Sequence, residues 1–124
     1  MLRLGSYAKV ADNSGAIEVE IVGTFGRSKS KIIRMADVVK VTVKRAKTDS
    51  VNAKKGQMYR AVVVRMRKET KREDGTYIRF DDNAVVLLNG TTTDPMGSRI
   101  FGPVARELKV FGFDKITYLA PETL

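Results

Sequence analysis

Between Val39 and Lys44 the side chains alternate strictly, with Val39, Val41 and Val43 on one side and Lys40, Thr42 and Lys44 on the other. Successive residues of an extended chain point to opposite faces, so this pattern predicts a strand with one dry and one wet face. Ile17, Val19 and Ile21 against Glu18 and Glu20 read the same way. Ala61 to Val64 and Ala84 to Leu88 are apolar on both faces, which predicts central strands or strands passing under a covering element. Turn signals separate the runs. Asp12-Asn13-Ser14-Gly15 follows an early short strand, and Lys54-Lys55-Gly56 precedes the next apolar run. Asp74-Gly75 is a strong hairpin signal, because glycine supplies a positive φ without steric cost. The arms of that hairpin, Arg65 to Lys68 and Thr76 to Phe80, are basic with scattered apolar residues. We read it as a β-ribbon leaving the main body.

Helical signal is confined to the end of the chain. Pro103 suits a first helical position, Val104, Leu108 and Phe111 fall at i, i+4 and i+7, and Gly112 can end the turn. Asp114 can cap a second short helix over Lys115 to Ala120, stopped by Pro121. Five or more short strands followed by two short helices predict a mainly β fold, a small closed or nearly closed β-barrel. With 124 residues, 43% of them apolar, and no linker or repeat, the expectation is a single domain over residues 1–124. No apolar run approaches the roughly 18 residues of a membrane span. Nor is a secretory signal expected in the first residues.

Charge is distributed unevenly. From Lys44 to Arg72 there are eleven Lys or Arg against Asp49 and Glu69, giving +9, and the remainder of the chain sums to zero. A smaller cluster (Arg27, Lys29, Lys31, Arg34) contains no acid, whereas the part from Glu73 onward carries −3. Segregated cations are what a polyanion-facing surface needs, because each Lys or Arg near a phosphate releases condensed counterions. An anionic membrane is a weaker fit, since no amphipathic helix with a bulky apolar face accompanies them. The candidate RNA contacts are Arg27, Lys29, Lys31, Lys44, Arg45, Lys54, Lys55, Arg65, Arg67, Lys68, Lys71, Arg72 and Arg79.

Catalysis finds little to work with. There is no cysteine or histidine, which removes thiolate chemistry, the commonest general base and the usual transition-metal ligand. Asp81-Asp82 is the tight acidic pair that could offer oxygen ligands to magnesium, but adjacent strand residues diverge and a turn is the better reading. Asp12 and Ser14 could be imagined as base and nucleophile, yet Asp-Asn-Ser-Gly is explained by turn chemistry. No phosphate-binding glycine loop or dinucleotide fingerprint occurs. The expectation is a non-enzyme without cofactor or metal. Phe101, Phe111 and Phe113 are expected to pack the helices onto the barrel, leaving Tyr77 and Phe80 as the plausible stackers. Recognition by phosphate and shape is therefore favoured over base readout.

Several segments are recognisable in order: VADNSGA (Val10 to Ala16), AVVVR (Ala61 to Arg65), Asp74-Gly75, IRFDDNAVVLLN (Ile78 to Asn89), GSRIFGPVARELK (Gly97 to Lys109) and ITYLAPETL (Ile116 to Leu124). Together they resemble the universal large-subunit ribosomal protein fourteen family, with RIFGPV and LAPE resembling its bacterial and organellar branch. The resemblance implies a five-stranded β-barrel with a projecting β-ribbon and two short C-terminal helices. It also implies direct binding to large-subunit rRNA and a place beside ribosomal proteins three and nineteen. Contact with small-subunit rRNA at intersubunit bridges and docking of the ribosome-silencing factor follow from the same resemblance. Ser98, Arg99 and Lys115 correspond to that partner and bridge face. Two departures stand out. Ile17-Glu18 follows the ADNSGA segment where the family often has basic residues, and Arg34 and Ala36 replace glycines common before Asp37. They remove a phosphate contact, alter a turn, and lean towards an organellar ribosome over a bacterial one. The alternative function is a free RNA-binding barrel, a translation factor or RNA chaperone, which would sediment apart from the large subunit.

Overall fold

The computed structural model describes residues 2–25, 32–48 and 52–124. In chain order the strands are β1 (Leu2–Arg3), β2 (Tyr7–Val10), β3 (Ala16–Thr24), β4 (Ile32–Ile33), β5 (Val38–Ala46), β6 (Met58–Arg65), β7 (Thr70–Lys71), β8 (Tyr77–Ile78), β9 (Ala84–Leu87) and β10 (Pro103–Val104). Helices α1 (Glu107–Val110) and α2 (Asp114–Leu119) follow, then β11 (Glu122–Thr123). Strands β2, β3, β5, β6 and β9 form a closed barrel in that order. All pairs are antiparallel except the closing one, β2 with β9, which aligns Lys9 with Ala84 and Val10 with Val85. Register shifts in the β3–β5 ladder mark bulges, which give a small barrel the local bend it needs.

The alternation seen in the sequence becomes the division of the core. Val19, Ile21, Val39, Val41 and Val43 fill the interior, joined by Ala61, Val63, Val85 and Leu87. The other faces of the last two strands, Val62, Val64, Ala84, Val86 and also Leu88, do not meet water. They pack beneath Ile100, Val104, Leu108, Phe113 and Ile116 in a second core. Strands β6 and β9 are thus apolar on both faces because one side lines the barrel and the other carries the C-terminal segment. Val41, Val63 and Leu87 are fully buried.

Three local expectations are corrected. Pro103 and Val104 do not begin a helix; they form β10, which pairs in parallel with β11. The Leu124 N–H also donates to the Val104 carbonyl, and these long-range bonds override the N-terminal preference of proline. Helix α1 consequently starts at Glu107, and Phe113 precedes α2, so Asp114 is its first residue and not its cap. Arg65 belongs to the barrel wall and not to the ribbon, whose paired residues are Thr70 with Ile78 and Lys71 with Tyr77.

The ribbon turn closes with Gly75 at φ 87°. Its N–H bonds Arg72 O, and Thr76 O accepts the Arg72 N–H, the pattern of a three-residue loop with a left-handed glycine. Asp74 holds the turn by accepting from both the backbone and hydroxyl of Thr76. Those bonds, with Arg106 and Arg72 nearby, keep its carboxyl below the ordinary range. The turn before β5 holds a residue in the left-handed region. Ala36 takes φ 67°, a conformation costing an L-residue roughly 1–2 kcal/mol and one that glycine adopts freely.

Candidate nucleic-acid interface and partner face

Most of the candidate cations do reach the surface. Lys44 and Arg45 are exposed at the end of β5, Lys54 and Lys55 in the turn before β6, Arg67 and Lys68 just after it, Lys71 on β7 and Arg79 after β8. Lys44 lies 3.4 Å from the half-buried Glu20, and Lys68 3.6 Å from Glu69 in an exposed pair; contacts this open to solvent are worth little. The charge of both lysines stays available to a polyanion. Arg27, Lys29 and Lys31 lie outside the described residues.

Two candidates are corrected. Arg65 is only 8% exposed. Its Nε donates to Asp82 Oδ1 at 2.8 Å and its Nη2 to Oδ2 at 3.4 Å, while Nη1 donates to the carbonyls of Phe101 (2.8 Å) and Pro103 (3.1 Å). The guanidinium fork is filled by the protein itself and clamps the C-terminal segment onto the barrel. Gly102 is moulded to it, since a Cβ there would sit 2.5 Å from Nη1. Arg72 is likewise enclosed. It donates to Glu107 from Nε (2.9 Å) and reaches the Leu124 carbonyl from Nη2 at 2.6 Å. With Arg106 Nη2 3.5 Å from Asp74 Oδ2, it fastens the ribbon to α1 and the chain end. Both arginines are ion-paired within the chain, Arg65 with Asp82 and Arg72 with Glu107.

The acidic residues are structural too. Asp82 serves Arg65, and no group of three or more metal-capable side chains occurs among the described residues. Asp12 is buried. One carboxylate oxygen accepts from the backbone and hydroxyl of Ser14, and the other from the Leu87 N–H at 3.1 Å. Burial pushes its carboxyl above the ordinary value, and those hydrogen bonds pull the other way. The imagined base and nucleophile are a turn riveted to the barrel.

That turn builds the candidate partner face. Asn13 Oδ1 accepts from the backbone of Ser98 (2.9 Å) and Arg99 (3.1 Å), and Asn13 Nδ2 donates to Ser98 Oγ at 3.1 Å. The Asn13 N–H donates to Arg99 O. Only glycine fits beside this latch, because a Cβ at position 97 would stand 2.5 Å from Asn13 Oδ1. Ser98 and Arg99 are thereby held at the surface. Lys115, exposed on α2, lies 3.3 Å from Asp94 in the same β9–β10 connection.

The aromatic residues differ from expectation. Phe113 is buried as expected, but Phe101 and Phe111 are exposed and do not pack the helices down. Phe80 is half-buried against the barrel core, leaving Tyr77 exposed on the ribbon. Alternation through Arg99, Ile100 and Phe101 would have placed Phe101 outside, since Ile100 is the buried one.

The closed barrel, its displayed cations and its carboxylates tied into turns and clamps define the class: a small, basic, structural β-barrel protein. The chain belongs to the family described as Ribosomal protein L14p/L23e, which it matches over residues 1–124. It is similar to the large ribosomal subunit protein uL14 of Aquifex aeolicus (strain VF5), at 50% identity covering all of both chains. The uL14 protein of Aquifex pyrophilus is equally similar, again 50% identical with full coverage of each. Membership makes the chain a structural protein and not an enzyme. These relatives are of bacterial type, so the organellar lean drawn from Ile17-Glu18 and from Arg34 and Ala36 finds no support.

Proposed function

We propose that this chain is a structural constituent of the large ribosomal subunit in a bacterial-type ribosome, bound directly to large-subunit rRNA. The observation that carries the reading is the full-length family match. The exposed Lys44, Arg45, Lys54, Lys55, Arg67, Lys68, Lys71 and Arg79 support it as phosphate-neutralising groups. The logarithm of the binding constant should then fall linearly with the logarithm of salt concentration. Changing Arg67, Lys68, Lys71 and Arg79 to Gln should reduce that slope by about 3, at roughly 0.7–0.9 for each phosphate no longer neutralised. Filter binding to a large-subunit rRNA fragment across a salt series measures it, and an unaltered slope would remove these four residues from the interface.

The Ser98, Arg99 and Lys115 face serves the partners. It meets small-subunit rRNA at an intersubunit bridge and is the docking face for the ribosome-silencing factor, while ribosomal proteins three and nineteen are neighbours within the large subunit. The latched, surface-held Ser98 and Arg99 support this assignment. Arg99→Glu should therefore reduce joining of large to small subunits on a sucrose gradient without lowering incorporation into the large subunit. Normal joining together with normal silencing-factor binding would count against it.

A further inference from the structure

Phe101 is 48% exposed although its neighbour Ile100 is buried. Its backbone is held from both sides, the N–H donating to Ala11 O at 2.6 Å and the carbonyl accepting from the Arg65 clamp. The ring therefore stands on a fixed base, with the Arg99 guanidinium 5.6 Å from its centroid. It forms one wall of a cavity of about 320 Å³ whose other walls include Lys9, Asn13, Glu18, Arg45 and Lys47. Lys9, Glu18 and Arg45 lie abreast across β2, β3 and β5, as Lys9 aligns with Glu18 and Glu18 with Arg45. Lys9 stands at the β2 side, 4.0 Å from Asp82, and Arg45 and Lys47 are the cations at the β5 end of the cavity.

An aromatic platform and cations sharing one cavity match a nucleotide better than either half of one. A free phosphate would use the cations and ignore the ring. An apolar side chain would use the ring and leave the cations against it. A base-paired helix keeps its bases stacked inside and offers none to an aromatic wall. Single-stranded RNA can supply both parts, with a base on the ring and its phosphate on the basic groups. We propose that this cavity receives one extruded nucleotide of single-stranded RNA, its base on Phe101 and its phosphate between Arg45 and Lys47. Glu18 disfavours phosphate on its own side and so orients the nucleotide. The proposal rests on the RNA-binding reading above and names where that binding holds a base.

The chain has no tryptophan, so Phe101→Trp supplies a lone emission reporter at the site. Short oligoadenylate should quench it, and an A-form RNA duplex of equal phosphate number should not. In Phe101→Leu, which keeps an apolar side chain without the ring, oligoadenylate affinity should fall about tenfold while duplex affinity holds. If the leucine variant does not fold, quenching in the tryptophan variant decides alone. Equal quenching by duplex and single strand, or unchanged oligoadenylate affinity in a folded Phe101→Leu that still binds the rRNA fragment, overturns the pocket and leaves the ribosomal reading standing. Failure of the parent chain to bind any RNA at low ionic strength overturns both.

Discussion

Arg65→Ala should lower the unfolding free energy by about 3 kcal/mol, the lower end of the range for breaking a buried ion pair. The lower end applies because the Asp82 side chain keeps 26% of its exposure and can recover some hydration. The remaining cost comes from the Phe101 and Pro103 carbonyls, which lose their shared donor. Arg65→Lys should fall between parent and alanine variant, since one ammonium cannot reproduce a planar fork reaching a carboxylate and two carbonyls together. Urea unfolding measures the loss. The salt dependence of rRNA binding, taken where both variants are folded, should match that of the parent. A variant of undiminished stability with weakened RNA binding would return Arg65 to the interface.

Leu87→Ala should cost about 2–5 kcal/mol, the range for deleting a leucine side chain from a well-packed core. Leu87 is fully buried in the barrel interior, where its backbone N–H also anchors Asp12. The cavity would be walled by strands closed on themselves, which can relax little. Val86, next along the same strand, makes the informative comparison because it faces the second core under α1 and α2. Val86→Ala should cost less and loosen the C-terminal segment first, seen as faster hydrogen exchange in the helices than in β3 and β5. Equal exchange changes everywhere in both variants would mean the two cores melt as one.

The reach of the sequence can be judged from these same residues. Binary pattern reports directly on which faces are dry, so the doubly apolar β6 and β9 and the alternating β5 are legible, as are the turns at Asp12 and Asp74. Arg65 and Arg72 escape such a reading because a run of cations does not say where each guanidinium goes. Their partners lie far along the chain, Asp82, Phe101 and Pro103 for one, Glu107 and Leu124 for the other. Pro103 misleads for a related reason, as local helical preference gives way to pairing with residues near the chain end. Asn13 is legible as a turn former. Its second task, gripping Ser98 and Arg99, depends on residues 85 and 86 positions away.

The seam that closes the barrel joins β2 to β9, and this sets an order for how the chain can form during its own synthesis. Until Ala84 and Val85 have emerged, Lys9 and Val10 have no closing neighbour and the first four wall strands form an open, curling sheet. The cationic stretch from Lys44 to Arg72 is made before that moment. A nascent chain thus presents its attraction for polyanions ahead of its finished shape, and pairings so distant along the chain are the slow ones to form.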